Sequence, residues 1–61
     1  MLAAAIRMLD VDRRSVIVLR YGLEMTPPEI ATVLGIPVGT VHSRLARGLD
    51  DLRSHLEANV G

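Results

Sequence analysis

Apolar residues recur along this chain with the period of helices. Leu2, Ile6 and Leu9 share one face at steps of four and three, which predicts a first helix from about Leu2 to Leu9. Asp10 or Asp12 is placed to cap a second helix that runs to about Tyr21. The run Val16-Ile17-Val18-Leu19 inside it is apolar all round and would also suit a short buried strand; the segment's length and the preceding cap favour a buried helix. Gly22 is expected to end it. Thr26 with Glu29 three residues later forms a capping box, and Pro27 takes the first helical position, where a missing N–H costs nothing. Gly35 stops this third helix. After the turn Gly35-Ile36-Pro37, a fourth helix is predicted from about Val38 to Ala58. Its Val41, Leu45, Leu49, Leu52 and Leu56 fall within about 80° of one another at 100° per residue, so this stripe should pack on the other helices. No linker, internal repeat or low-complexity tract interrupts the pattern.

The segment Pro27 to Arg47 carries the most information. Ala31 is small where two helices would cross closely. Gly35 supplies the left-handed residue wanted after a helix, with no Cβ to oppose it. Val41 begins the apolar stripe of the next helix. Two short helices around a glycine turn, with arginines on the outer face of the second, form the layout of a helix-turn-helix DNA reader. Ser43 and Arg47 lie nearly opposite the apolar stripe, one turn apart. Thr40 and Arg44 flank them on one side, Gly39 and Ala46 on the other. All lie in the first turns of the fourth helix, the part that meets base edges in a major groove. Asp50 and Asp51 follow, and phosphates would repel them, so they mark the end of the reading surface. The expected architecture is therefore all-α: a four-helix, wingless helix-turn-helix with a long C-terminal recognition helix. Residues 1–61 form one domain with the helix-turn-helix core at about 26–49.

Charge changes this picture in one respect. Seven arginines and no lysine balance seven acids, for a formal charge of +0 and a pI of about 6.7. A free-standing DNA binder is usually basic. Distribution counts for more than the sum: between Ile30 and Leu49 there are two arginines, one histidine and no acid. The reading surface is thus expected to be locally basic on a neutral molecule, with weak DNA affinity in isolation and a tether to a larger assembly. Mean hydropathy is positive, at +0.32. A domain of about this size buries only about 60% of its unfolded surface, so some apolar side chains should stay partly exposed and serve protein docking. Leu2, Ile6, Val18, Leu52 and Leu56 are the candidates.

Other chemistries find little support. There is no cysteine, so no disulfide or thiolate site. His42 and His55 lack partners at ligand spacing, and no metal or cofactor is expected. No nucleophile–base order, carboxylate pair in a pocket or glycine-rich phosphate loop points to catalysis, so no enzyme is expected. No run approaches the roughly twenty apolar residues of a membrane span, and the start MLAAAIRML lacks a basic lead and a cleavage signature, so a cytoplasmic, non-membrane protein is expected.

The run LGIPVGTVHSRLARGLDDLR resembles region 4 of bacterial RNA polymerase sigma factors of the extracytoplasmic-function (ECF) type, which typically reads LGxPxGTVxSRLxRAxxxLR. Upstream, LDVDRRSVIVLRYGLEMTPPEIA is similar to that family's LPxxxRxVLxLRYxxGxSxxEIA. The likeness runs from about Leu9 to Leu56. It implies recognition of the promoter −35 element, as double-stranded DNA, by a module docked on the β-flap of the polymerase core, with an anti-sigma factor as a further partner. Matched to the family's motif, His42, Ser43, Ala46 and Arg47 fall at base-contacting positions. Arg20, Thr26, Pro27 and Arg44 fall at positions near phosphates. Asp10 stands where the family usually has Pro, Pro28 replaces a polar residue, and His42 stands where Lys or Arg is common. Nothing in the chain resembles the family's −10-binding, promoter-melting region. The bland readings are specific too. Arg47 could pair with Asp50 or Asp51, Arg20 with Glu24, and His42 could be half-buried packing. Arg14 could bridge helices, while Arg13, Arg53 and His55 would simply be solvated. Two other functions fit part of the pattern: a LuxR-type regulator domain, which shares EIA and a TV pair but usually lacks IPVGT and the SRL-x-R continuation, and a module whose main role is to bind an anti-sigma factor.

Overall fold

The computed structural model describes residues 2–60, with side chains through Ala58. Four α-helices follow one another: α1 Leu2–Met8, α2 Val11–Ile17, α3 Pro27–Leu34 and α4 Val38–Val60. Among the described residues there is no strand. α4 is the spine on which α1, α2 and α3 all pack. The buried core is aliphatic throughout: Ala5 and Leu9 from the first segment, Val16 and Ile17 from α2, Ile30 from α3, and Val41, Leu45 and Leu52 from α4.

Local chemistry accounts for the boundaries. The Asp10 side chain accepts from the Arg13 N–H at 3.0 Å and starts α2. The α3 capping box closes both ways: the Glu29 N–H donates to Thr26 Oγ1 at 3.3 Å, and the Thr26 N–H donates to Glu29 Oε1 at 2.8 Å. Those bonds hold the Glu29 carboxyl below the usual glutamate range. Gly35 ends α3 at φ 67°, ψ 37°, and a Cβ there would meet nothing within 4 Å. The glycine is required by backbone conformation, not by crowding. The Pro37 carbonyl then accepts from Thr40 and Val41 and opens α4.

The second helix departs from expectation. Its α-helical part ends at Ile17, and Val18–Gly22 form a π-helical turn. A regular helix would put Arg20 one turn on from Val16, which is wholly buried, and so aim a guanidinium at the core. The wide turn rotates Arg20 away; its Nη1 reaches the Met25 carbonyl at 3.4 Å. The left-handed residue that follows is Glu24, at φ 56°, rather than Gly22. The family pattern quoted above has glycine at this place. A non-glycine residue there costs about 1–2 kcal/mol. Glycine loses about 0.5–1 kcal/mol in backbone entropy. Glu24→Gly should therefore stabilise the domain by about 0.5–1 kcal/mol, seen as a raised midpoint in urea unfolding. A lowered midpoint would mean the Glu24 side chain contributes something its exposed position does not suggest.

α4 also packs on a slightly different face from the one the stripe predicts. Val41, Leu45 and Leu52 are buried and Leu56 is half-buried, but Leu49 is 43% exposed. Gly48 is buried in its place. A Cβ on Gly48 would lie 3.0 Å from Ile17 Cγ1, so α2 crosses α4 at this residue more closely than an alanine comfortably permits. The closest approach draws the centre of burial some tens of degrees round the helix, toward Gly48 and away from Leu49.

Candidate nucleic-acid interface

The first turns of α4 hold most of the expected site. His42, Ser43, Ala46 and Arg47 are all exposed, and Arg44 is half-buried. For His42 this removes the packing alternative. Ser43, Arg44 and Arg47 line one open concavity of about 430 Å³ together with Gly39 and Thr40. Ala46 lies outside it, in a shallow depression beside Leu49 and Asp50. His42 shares the exposed side of α4 but does not line the concavity.

Arg47 takes part in no ion pair among the described residues. Its rival partners are engaged elsewhere: Asp50 accepts from Arg53 Nη2 at 2.6 Å, and Asp51 binds Arg13 Nη1. Arg53 also approaches Glu57 at 3.7 Å, so it is a paired surface residue rather than simply a solvated one. Arg13 likewise is not simply solvated. It ties α2 to α4 through Asp51, with both side chains about one-third exposed, and this contact raises its pKa above the ordinary arginine value. The two carboxylates that follow Arg47 thus differ: Asp50 is exposed and Asp51 is half-buried in an inter-helix bridge.

A second group forms at the junction of the π-turn and α3. Thr26 is exposed and Pro27 half-buried at the α3 N-terminus. Arg20 reaches the same junction through Met25, with its guanidinium 5.5 Å from the centre of the Tyr21 ring. It makes no ion pair with Glu24 among the described residues. These three are not brought into the α4 concavity.

One part of the candidate interface is not legible in the sequence. Asp10, Asp12 and Arg13, from the start of α2, line the same concavity as Ser43, Arg44 and Arg47. The expectation of a locally basic surface follows from charge along the chain alone, and the fold corrects it by adding these acids. No spacing rule connects residues this far apart in sequence. The apolar surface is also redistributed. Leu2 and Val18 are exposed and Ile6 and Leu56 half-buried, but Leu52 is only 7% exposed and belongs to the core. Val11, Val18, Leu19, Val33 and Leu34 instead line a groove of about 410 Å³ with Arg14 at its side.

A capped short helix, a left-handed glycine, and a long helix whose opening turns expose Ser43 and Arg47 define a helix-turn-helix module. The description Sigma-70, region 4 matches residues 1–52. The chain belongs to that family. Among curated proteins it is similar to an RNA polymerase sigma-E factor of Streptomyces antibioticus, 44% identical over 57 residues, covering 93% of this chain and 32% of that protein. It is 51% identical over 43 residues to the ECF RNA polymerase sigma factor SigW of Bacillus subtilis, covering 70% of this chain and 23% of that one. A sigma-E factor of Streptomyces coelicolor is 41% identical over 58 residues, 95% of this chain and 33% of the relative. The chain thus spans about a quarter to a third of the length of these relatives. No solved structure matches it. Among the described residues, no helix is long and apolar enough to cross a membrane.

Proposed function

We propose that this chain is the promoter-reading module of a bacterial sigma factor, recognising −35-type duplex DNA while docked on the polymerase core, in the cytoplasm, with no catalytic role of its own. The observation that carries the reading is Ser43 and Arg47 standing exposed, one turn apart, in the opening turns of α4, with Asp50 and Asp51 engaged by Arg53 and Arg13. Arg47 is the base reader, since arginine bidentate to guanine O6/N7 is the commonest specific contact. Ser43 offers a hydroxyl, and Ala46 an apolar contact for a thymine methyl. His42 completes the base-facing set. Arg44, Arg20 and the Thr26–Pro27 helix start hold the backbone.

The groove lined by Val11, Val18, Leu19, Val33 and Leu34 is assigned to the polymerase β-flap. Apolar walls with Arg14 at the edge suit an apolar segment carrying a carboxylate. An anti-sigma factor would compete for the same surface.

DNA binding by the isolated chain should be weak and strongly salt-dependent. With about four cationic contacts to phosphate or base, log K should fall against log salt with a slope of magnitude about 3–4, from about 0.9 per neutralised phosphate. A fluorescence anisotropy titration of a −35-type duplex between low and moderate salt measures this. Affinity that does not respond to salt would sink the DNA-reading assignment, and a flap peptide that leaves the Arg14 groove unperturbed would sink the docking assignment alone.

A further inference from the structure

The concavity that holds Ser43, Arg44 and Arg47 is not basic. Its formal charges are three arginines, Arg13, Arg44 and Arg47, against two acids, Asp10 and Asp12. That is 3 − 2 = +1. Arg13 is bound to Asp51, which does not line the concavity, and counting that pair as neutral brings the balance to zero. A space of about 430 Å³ is spanned by roughly one Debye length at physiological salt, so these charges act on one another and on any phosphate that enters. The two acids differ. Asp10 is committed to capping α2 and lies 3.8 Å from Arg13 Nε. Asp12 is exposed and takes part in no ion pair or side-chain hydrogen bond among the described residues.

We propose that Asp12, seconded by Asp10, is a specificity-determining residue: it cancels the attraction of the reading concavity for phosphate, so that sequences are sorted by base contacts rather than held by charge. The inference rests on the DNA-reading function proposed above. A carboxylate facing the groove repels the phosphates of any duplex that settles there without register. On random DNA no aligned contact draws the phosphates away from it, so it lowers non-specific binding by a larger factor than specific binding and leaves a short residence on random DNA. The arginines keep their bidentate contacts at the preferred site, where geometry aligns them, and there Arg44 outcompetes the acid for its phosphate.

The test compares wild-type chain with Asp12→Asn on two 20-base-pair duplexes, one of random sequence and one selected by the wild-type chain from a randomised pool. Removing the acid should let one more phosphate be neutralised on random DNA. The salt slope there should steepen by about 0.9, and affinity at 50 mM salt should rise about tenfold. The selected duplex should gain less, narrowing discrimination. Asp10→Asn, which keeps a helix cap, should show a smaller effect in the same direction and serves if Asp12→Asn disturbs the helix by circular dichroism. Glu57→Gln, far along α4, makes the same change in net charge and should do little. Unchanged affinity and slope in Asp12→Asn, an equal gain on the random and selected duplexes, or an equal gain from Glu57→Gln, overturns the proposal. If the wild-type chain itself shows no salt-dependent binding, the function falls first, and the two failures are thereby distinguished.

Discussion

Replacing Ile30 with alanine leaves much of the domain unfolded at 25 °C. Ile30 is wholly buried and is among the largest side chains with no exposure. It joins α3 to the core shared with α4 and the π-turn. An isoleucine-to-alanine change in a tight core costs about 2–5 kcal/mol, from lost transfer energy plus the cavity left behind. The whole domain, at about 0.05–0.15 kcal/mol per residue over 61 residues, has only about 3–9 kcal/mol of stability. The loss is therefore comparable to the total. Ile30→Val, costing about 0.5–1.5 kcal/mol, should stay folded. Urea unfolding followed by circular dichroism reads both. If Ile30→Ala shifted the midpoint no more than Ile30→Val, the core would be looser than its burial implies.

The second large effect concerns recognition. Arg47→Ala should cost about 1–3 kcal/mol on the preferred duplex, roughly 5- to 150-fold in Kd, and flatten discrimination at one base pair. The structure sharpens this expectation, because Asp50 and Asp51, the acids next along α4, are held by Arg53 and Arg13. Arg44→Ala should behave differently in kind: half-buried and assigned to phosphate, it should weaken cognate and single-base-changed duplexes alike and reduce the salt slope by about one. Measuring both variants on both duplexes separates the roles. Equal losses on the two duplexes for Arg47→Ala would move that residue to the backbone class.

The elements most legible in the sequence were those set by local chemistry. Thr26, Pro27 and Glu29 announced the start of α3, and Gly35 its end, because capping bonds and left-handed backbone are decided within four residues. Ser43 and Arg47 could be placed outward because they lie opposite any plausible apolar stripe. What stayed hidden depends on how helices approach one another. Leu49 faces out and Gly48 in because α2 crosses at Gly48, and no periodicity reveals where a crossing falls. The π-turn was invisible for a similar reason: the run Val16–Leu19 is apolar at every angle, so it cannot report that Arg20 must be turned away from the core. Arg13 paired with Asp51, and Asp12 brought into one concavity with Arg47, are products of folding that charge counted along the chain does not register.

The length of α4 has a mechanical consequence. It is one uninterrupted helix of 23 residues, about 34 Å at 1.5 Å per residue. Its first half presents Ser43 and Arg47, and its second half carries α1 through Ala5 and the region of His55 and Ala58. A rod of that kind has a single orientation. A partner that grips the distal half sets the angle at which the proximal half enters a groove, and a rotation of about 5° at one end becomes a displacement of about 3 Å at the other. The molecule thus behaves as a lever, in which the grip and the point of contact cannot be aligned independently.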